Sequence, residues 1–184
     1  MKTILAVVGL PGAGKTETAN YIVKKTGWPK VYFGQAVLDA VLAKGQSLGE
    51  ANERAVREAI RAEHGPAAFA IVNLPAIKRA YETSNVILES MYSWDEYKFL
   101  KQEFGDAFKV LAIYSSLETR VKRMAVRPER PLMRADLESR DAAQIENIHQ
   151  AGPIARADWT IVNEGTLEQL YSNIDQTLKF INAG

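Results

Sequence analysis

Glycines, a lysine and a hydroxyl at fixed spacing can hold phosphate, and residues 9–16 carry that set: Gly9-Leu10-Pro11-Gly12-Ala13-Gly14-Lys15-Thr16. The glycines let a short loop aim successive backbone N–H groups at phosphate oxygens. Lys15 can reach the β- and γ-phosphates, and the Thr16 hydroxyl can sit on Mg²⁺. The setting fits. Ile4-Leu5-Ala6-Val7-Val8 reads as a buried strand before the loop, and Ala19, Ile22 and Val23 share one helix face after it. A helix starting there turns its positive end and its unpaired N–H groups toward the same anion. An ordinary glycine turn before a helix is the plain alternative; the complete motif in the right setting favours nucleotide binding. The expected nucleotide contacts are Gly9, Gly12, Ala13, Gly14, Lys15, Thr16 and Glu17.

A second chemical group ends the apolar run Asn85-Val86-Ile87-Leu88-Glu89. An acid at the carboxyl end of a buried strand points into the crevice where parallel sheets bind ligands. Glu89 could order Mg²⁺ with Thr16, or accept a proton from an attacking hydroxyl. A glutamate places its carboxylate about 1.5 Å beyond an aspartate's. The plain alternative is an acid that caps a helix or faces solvent. A third group is basic: Arg120, Lys122, Arg123, Arg127, Arg130, Arg134 and Arg140. Guanidinium groups closing over a transferring phosphoryl stabilise its charge, and their planar fork grips phosphate oxygens in pairs. Arg123, Arg127 and Arg134 are the candidates for that catalytic role, against a solvated face paired with Glu118, Glu129, Asp136 and Glu138. Arg54, Arg57 and Arg61 share a helix face and could bind an acceptor, or could pair with Glu50, Glu53 and Glu58. His64 and His149 have no metal-ligand spacing around them, so surface or packing roles are expected.

The elements that must position these groups follow from periodicity. Short apolar runs at residues 4–8, 31–33, 85–89, 108–114 and 159–162 alternate with helix patterns, which predicts a five-stranded parallel α/β sheet. Helices are expected over 35–44, 50–63, from the 64–66 break to about 81, 94–104, 117–126, 136–150 and from 166 onward. In the second of these Ala55, Ala59 and Ile60 are expected to face the core. Pro75 should kink or break the third. The last should bury Leu167, Leu170, Ile174, Leu178 and Ile181 behind a Thr166 N-cap. The helical block 35–81 suits an acceptor-binding insert, and the Pro- and Arg-rich segment 127–141 suits a lid. At 184 residues without a linker, one domain is expected. A net charge of +1 argues against a dedicated nucleic-acid binder. The absence of cysteine excludes disulfides and thiol catalysis. The apolar run before the loop is too short for a membrane span, and a cytoplasmic protein is expected.

Together these landmarks resemble the phosphate-loop kinases of the nucleoside monophosphate kinase and dephospho-coenzyme A kinase group. They are closest to the small adenylate-kinase-related proteins best known from archaea. The resemblance rests on Gly9 to Thr16, Arg61-Ala62-Glu63-His64-Gly65-Pro66, Glu103-Phe104-Gly105-Asp106, Ser116-Leu117-Glu118-Thr119-Arg120, and the stretch from Ala157 to Thr166. It implies a three-layer α/β/α fold, ATP and Mg²⁺ as donor pair, and a base-side loop at Asn163 and Gly165. Two places depart from it. Gln35 stands where such kinases commonly have an aspartate, and Glu89-Ser90-Met91-Tyr92 stands where they commonly have Asp-Gly-x-Arg. Gln35 and Tyr92 therefore join Arg54, Arg57 and Arg61 as candidate acceptor contacts. The expectation is an ATP-dependent kinase, monomer or homodimer, acting on a nucleotide or nucleotide-like acceptor. An ATP-binding regulator or slow ATPase is the alternative.

Overall fold

A computed structural model of the chain describes residues 2–127 and 131–183. Strands Ile4–Val8 (β1), Lys30–Tyr32 (β2), Val86–Glu89 (β3), Phe108–Tyr114 (β4) and Trp159–Val162 (β5) form one parallel sheet in the order β2-β3-β1-β4-β5. β1 is central and buried along its whole length, which is why it reads as an unbroken apolar run. Its residues alternate between the two faces. Ile4, Ala6 and Val8 join a cluster with Val37, Val41, Val56, Phe69, Ile77, Tyr97 and Leu100. Leu5 and Val7 join Ala19, Ile22, Leu170, Ile174 and Leu178 on the opposite face.

Two helices supply that opposite layer: Lys15–Thr26 (α1) and Leu167–Ala183 (α9). The first layer is built from Gln35–Ala43 (α2), Glu50–His64 (α3), Ala68–Thr83 (α4), Trp94–Phe104 (α5) and Ala151–Ala155 (α8). Leu117–Ala125 (α6) and Arg134–Ile148 (α7) follow β4 and flank the loop end of the sheet. Strand register sets the chemistry: Val7, just before the phosphate loop, lies beside Glu89 of β3 and Leu111 of β4. Tyr32 of β2 is the other neighbour of Glu89.

Four local expectations change. Ala55 and Ala59 are exposed; α3 packs Ile60 against the core as expected but buries Val56 in place of the alanines, because the larger side chain gains more from leaving water. Pro75 does not break α4, which runs through it. Packing of Phe69, Ala70 and Ile77 on the sheet outweighs the lost hydrogen bond to Ile71. The stop expected at Gly152-Pro153 becomes the short α8, where Pro153 occupies a first-turn position whose N–H has no helical partner anyway. Leu167 is exposed at the start of α9, while Leu170, Ile174, Leu178 and Ile181 are buried. Of the expected 127–141 lid, residues 128–130, including Arg130, lie outside the described residues.

Pro75→Ala should restore the missing bond at an exposed site and raise stability by about 2 kcal/mol, net of the greater freedom of the unfolded chain. Urea denaturation monitored by circular dichroism checks this; a lower midpoint would mean that α4 depends on the proline.

Candidate functional site

The loop between β1 and α1 is shaped by what its carbonyl groups touch. Gly9 O accepts from the buried Gln150 amide at 2.9 Å, and Leu10 O from the Lys15 ammonium at 3.0 Å. Pro11 O accepts from the Arg120 guanidinium at 3.2 Å, and Ala13 O from the Asn163 amide at 2.8 Å. With the carbonyls of Gly9, Leu10, Pro11 and Ala13 bonded to protein donors, the N–H groups of the loop and of α1's first turn can serve a ligand, apart from the Ala13 N–H, which donates to Leu10 O at 3.2 Å. The N-cap residue Gly14 offers them no side-chain acceptor. Two glycines are required by space as well as by backbone angle. A Cβ on Gly9 would meet Ile113 O at 2.3 Å, and one on Gly14 would meet the Asn163 amide nitrogen at 2.5 Å.

Lys15 sits in a concentrated positive field. Burial and, after it, the guanidinium groups of Arg140 and Arg120 lower its pKa to about 8, against the opposing carboxylates of Glu89 and Asp141. Arg120 is itself buried and is held two-pronged by Asp141 of α7, at 2.7 Å and 3.1 Å. That pair ties α6 to α7 directly over the loop. Arg140, next in chain to Asp141, is exposed and acts electrostatically on both Lys15 and Tyr92.

Glu89 is buried at the end of β3, where its position was expected, but its carboxylate has a partner the sequence did not suggest. The Lys30 ammonium lies 2.7 Å from it and also donates to Asn20 of α1 at 2.9 Å. Lys30 and Glu89 lie on the same face of the sheet two positions apart, so only the β2–β3 register reveals the contact. Beyond Glu89 the chain turns sharply: Ser90 has a left-handed φ of 71°, unusual for a residue with a Cβ. Tyr92 follows, and its N–H donates to Glu96 at 2.8 Å. Glu96 also completes a capping box with Ser93, so the start of α5 fixes Tyr92 in place. The Tyr92 ring lies 5.9 Å from the Lys15 ammonium, and its hydroxyl donates to Ser90 at 3.0 Å. Burial raises the phenol pKa, keeping it protonated.

On the other side of the loop, Arg123 binds the chain after β5. It donates to Asn163 O and Ser115 Oγ at 3.0 Å and to Gly165 O at 3.3 Å. Arg123 thus lies on the base side of the loop. Glu164 closes the same joint by accepting from Ser116 and Thr119 at the start of α6, which holds its pKa below the usual carboxylate range. A cavity of about 240 Å³ is lined by Gly14, Glu17, Arg123, Asn163, Gly165 and Leu170, among others. Glu17 is further held by the Tyr171 hydroxyl of α9. An adjoining cavity of about 310 Å³ runs between Val162 and Asn173 along α9, away from Lys15.

The remaining expected residues are not brought to the loop. Arg134 is exposed and ion-paired with Glu118 and Glu138. Arg127 is exposed, with no ion pair to it among the described residues. Arg54 pairs with Glu58 at 2.9 Å and Arg57 with Glu53 at 3.5 Å, while Arg61 stacks on Phe69 at 5.1 Å. The Gln35 amide donates to Asp39 at 2.8 Å. Gln150, Lys30 and Ser115 are site residues that sequence reasoning missed. Each is an ordinary polar residue whose partner lies far away in the chain. Among the described residues no group of three acidic or His/Cys side chains could cage a metal. One exposed hydroxyl, Thr16, and one carboxylate, Glu89, instead fit an Mg²⁺ that arrives on nucleotide phosphates and keeps most of its waters.

A glycine loop after the central strand of a five-stranded parallel sheet, running into a helix that starts on lysine and threonine, defines a P-loop protein with a kinase-like fold. Solved structures agree. The chain superposes on shikimate kinase from Bacteroides thetaiotaomicron with a TM-score of 0.63 at 13% identity, covering 98% of each chain. It superposes on a gluconokinase from Sinorhizobium meliloti with a TM-score of 0.57 at 13% identity, covering 98% of this chain and 95% of that one. The AAA domain family (AAA_18) matches residues 5–146. A UPF0200 protein of Pyrococcus furiosus is 31% identical over 185 residues, covering 98% of both chains. One of Thermococcus sibiricus is 31% identical over 181 residues, covering 94% of this chain and 92% of that one. The chain belongs to the UPF0200 family of AAA-domain P-loop proteins.

In the nucleotide-free protein Lys15 should titrate near pH 8, and Arg140→Gln should move that midpoint upward by removing a repelling charge. An NMR titration of the lysine ε-carbon reads both. A Lys15 midpoint at the ordinary lysine value would contradict the positive field described above.

Proposed function

We propose that the chain is an ATP-dependent phosphotransferase of adenylate-kinase-like layout, moving the γ-phosphoryl of ATP to a small-molecule acceptor of nucleotide or nucleotide-like kind. The observation that supports this most is the loop itself: the carbonyls of Gly9, Leu10, Pro11 and Ala13 accept from protein side chains and so do not compete for an anion beside Lys15. In this reading Gly9, Gly12, Ala13, Gly14 and Lys15 cradle the phosphates. Thr16 and Glu89 hold the Mg²⁺, which would supply charge neutralisation of the phosphates. Glu17, Asn163 and Gly165 border the base. Arg140 takes the part that Arg127 and Arg134 were expected to play, and Arg120 holds the loop from behind. Arg123 fastens the base-side joint. α2 and α3 form the acceptor-binding part of the 35–81 block, and α7 with the segment before it forms the lid. The chain is one catalytic unit.

Phosphoryl transfer asks a protein for positioning and charge more than for covalent help. Lys15 and Arg140 supply the charge, and Glu89 is placed to accept the acceptor's proton. The solved structures of this fold are named as kinases of shikimate and of gluconate, which supports a small-molecule acceptor. The Lys30–Glu89 pair favours one second reading, an ATP-binding regulator or slow ATPase, because it occupies the acid that would serve an acceptor.

An ADP-release assay over candidate acceptors separates the two. Lys15→Ala should cut acceptor-dependent turnover about 100- to 1000-fold, the usual cost of one charge aimed at the transition state. Glu89→Gln should lower kcat and raise the KM for ATP·Mg²⁺. ADP release that ignores every acceptor, with ATP binding intact, favours the regulator.

A further inference from the structure

Resting on the phosphotransferase reading, we propose that the receiving group is an uncharged hydroxyl on a nucleoside- or polyol-like acceptor, and that a phosphate monoester is not accepted. The space across from the donor phosphates is bounded by the Tyr92 ring, 5.9 Å from the Lys15 ammonium. A phosphate monoester would bring nearly two negative charges against the end of ATP, which already carries several. It would need guanidinium or ammonium groups of its own to be held there.

Among the described residues, the candidate acceptor-side cations have partners of their own. Lys30 is bonded to Glu89, Arg57 to Glu53 and Arg54 to Glu58, and Arg61 covers the Phe69 ring. Arg140 acts on both Lys15 and Tyr92, so it stands at the boundary, where donor phosphates beside Lys15 would draw on its charge. Apart from Arg140, what the described residues named here present on the acceptor side is neutral or acidic. Tyr92 and Ser90 are bonded hydroxyl to hydroxyl at 3.0 Å, and the Tyr32 phenol stands close enough to act on Tyr92. At the carboxyl end of β2, Gln35 donates to Asp39 at 2.8 Å. Phenols, a hydroxyl, an amide and a carboxylate give and take hydrogen bonds with alcohol groups, and the carboxylate repels a phosphate.

The step balances simply. The acceptor oxygen forms a bond to the γ-phosphorus as the bond from that phosphorus to the β–γ bridging oxygen breaks. ADP departs with the electron pair of the broken bond. The hydroxyl proton passes to the Glu89 carboxylate and from there to water.

Two measurements on the full chain test this. The first follows label from γ-labelled ATP·Mg²⁺ into two panels: the four ribonucleoside monophosphates, and phosphate-free ribonucleosides, sugars and polyols. Turnover at least tenfold higher somewhere in the phosphate-free panel is the expected result. Higher turnover with a monophosphate overturns the hydroxyl assignment and leaves the phosphotransferase reading standing. Label reaching neither panel, with ATP still bound, overturns both. The second is calorimetry of AMP with a non-hydrolysable ATP analogue present. Wild type should bind AMP at least tenfold more weakly than Tyr92→Arg, which puts a guanidinium where the phenol stands. Equal AMP affinity in the two proteins contradicts the charge argument, and an unchanged melting temperature for Tyr92→Arg shows that the comparison is between folded proteins.

Discussion

The site depends on holding the carbonyl oxygens of Gly9, Pro11 and Ala13 on protein donors, so that they do not compete for an anion. A phosphate loop works only if its N–H groups converge, and a peptide cannot present its N–H to an anion while its C=O competes for the same space. Here Gln150, Arg120 and Asn163 come from three different places to hold Gly9, Pro11 and Ala13. Each is buried, and each would leave an unpaired polar group if it let go. The loop is thereby tied to the short link before α8, to α6, and to the chain after β5. The helices and strands of this end of the molecule are spaced to deliver those three side chains.

The same arrangement explains why the two halves of the cleft differ in charge. On the donor half Lys15, Arg120 and Arg140 crowd together, and their repulsion adds to burial in lowering the lysine's pKa, with Asp141 as the main local counterion to Arg120. On the other half each described lysine or arginine discussed above is matched to an acid or an aromatic ring. The sharp turn at Ser90 and the capping box of α5 put an aromatic ring at the boundary between them. A buried acid pinned by Lys30 completes that boundary.

Much of the fold could be read from the chain. β4, β5 and α5 fall at the expected residues, because long apolar runs and a Ser93–Glu96 cap are local signals. The loop was legible for the same reason. Local patterning failed where two local choices were close and distant packing decided between them. Ala55 against Val56 on α3 is one such case, and Pro75 within α4 is another. In the site, residue type alone could not say which arginine goes where. Arg123, Arg127 and Arg134 look equivalent in sequence, yet Arg123 is bonded to Asn163 O and Gly165 O after β5 and to Ser115 Oγ after β4, while Arg134 faces Glu118. An ion pair such as Lys30–Glu89 depends on strand register, which a single sequence does not display.

The side chains that hold the loop also bear on how the protein forms. They lie 109, 141 and 150 residues further along the chain from the carbonyls they bind. During synthesis β1 and α1 leave the ribosome before these donors, and the oxygens of Pro11, Gly9 and Ala13 gain them one after another as Arg120, Gln150 and Asn163 emerge. Contacts of such long sequence separation cost loop-closure entropy before they return any stabilisation. The phosphate loop is thus made well before it acquires its working shape. A nascent chain stopped within β5 carries the complete motif without the Asn163 amide that holds Ala13.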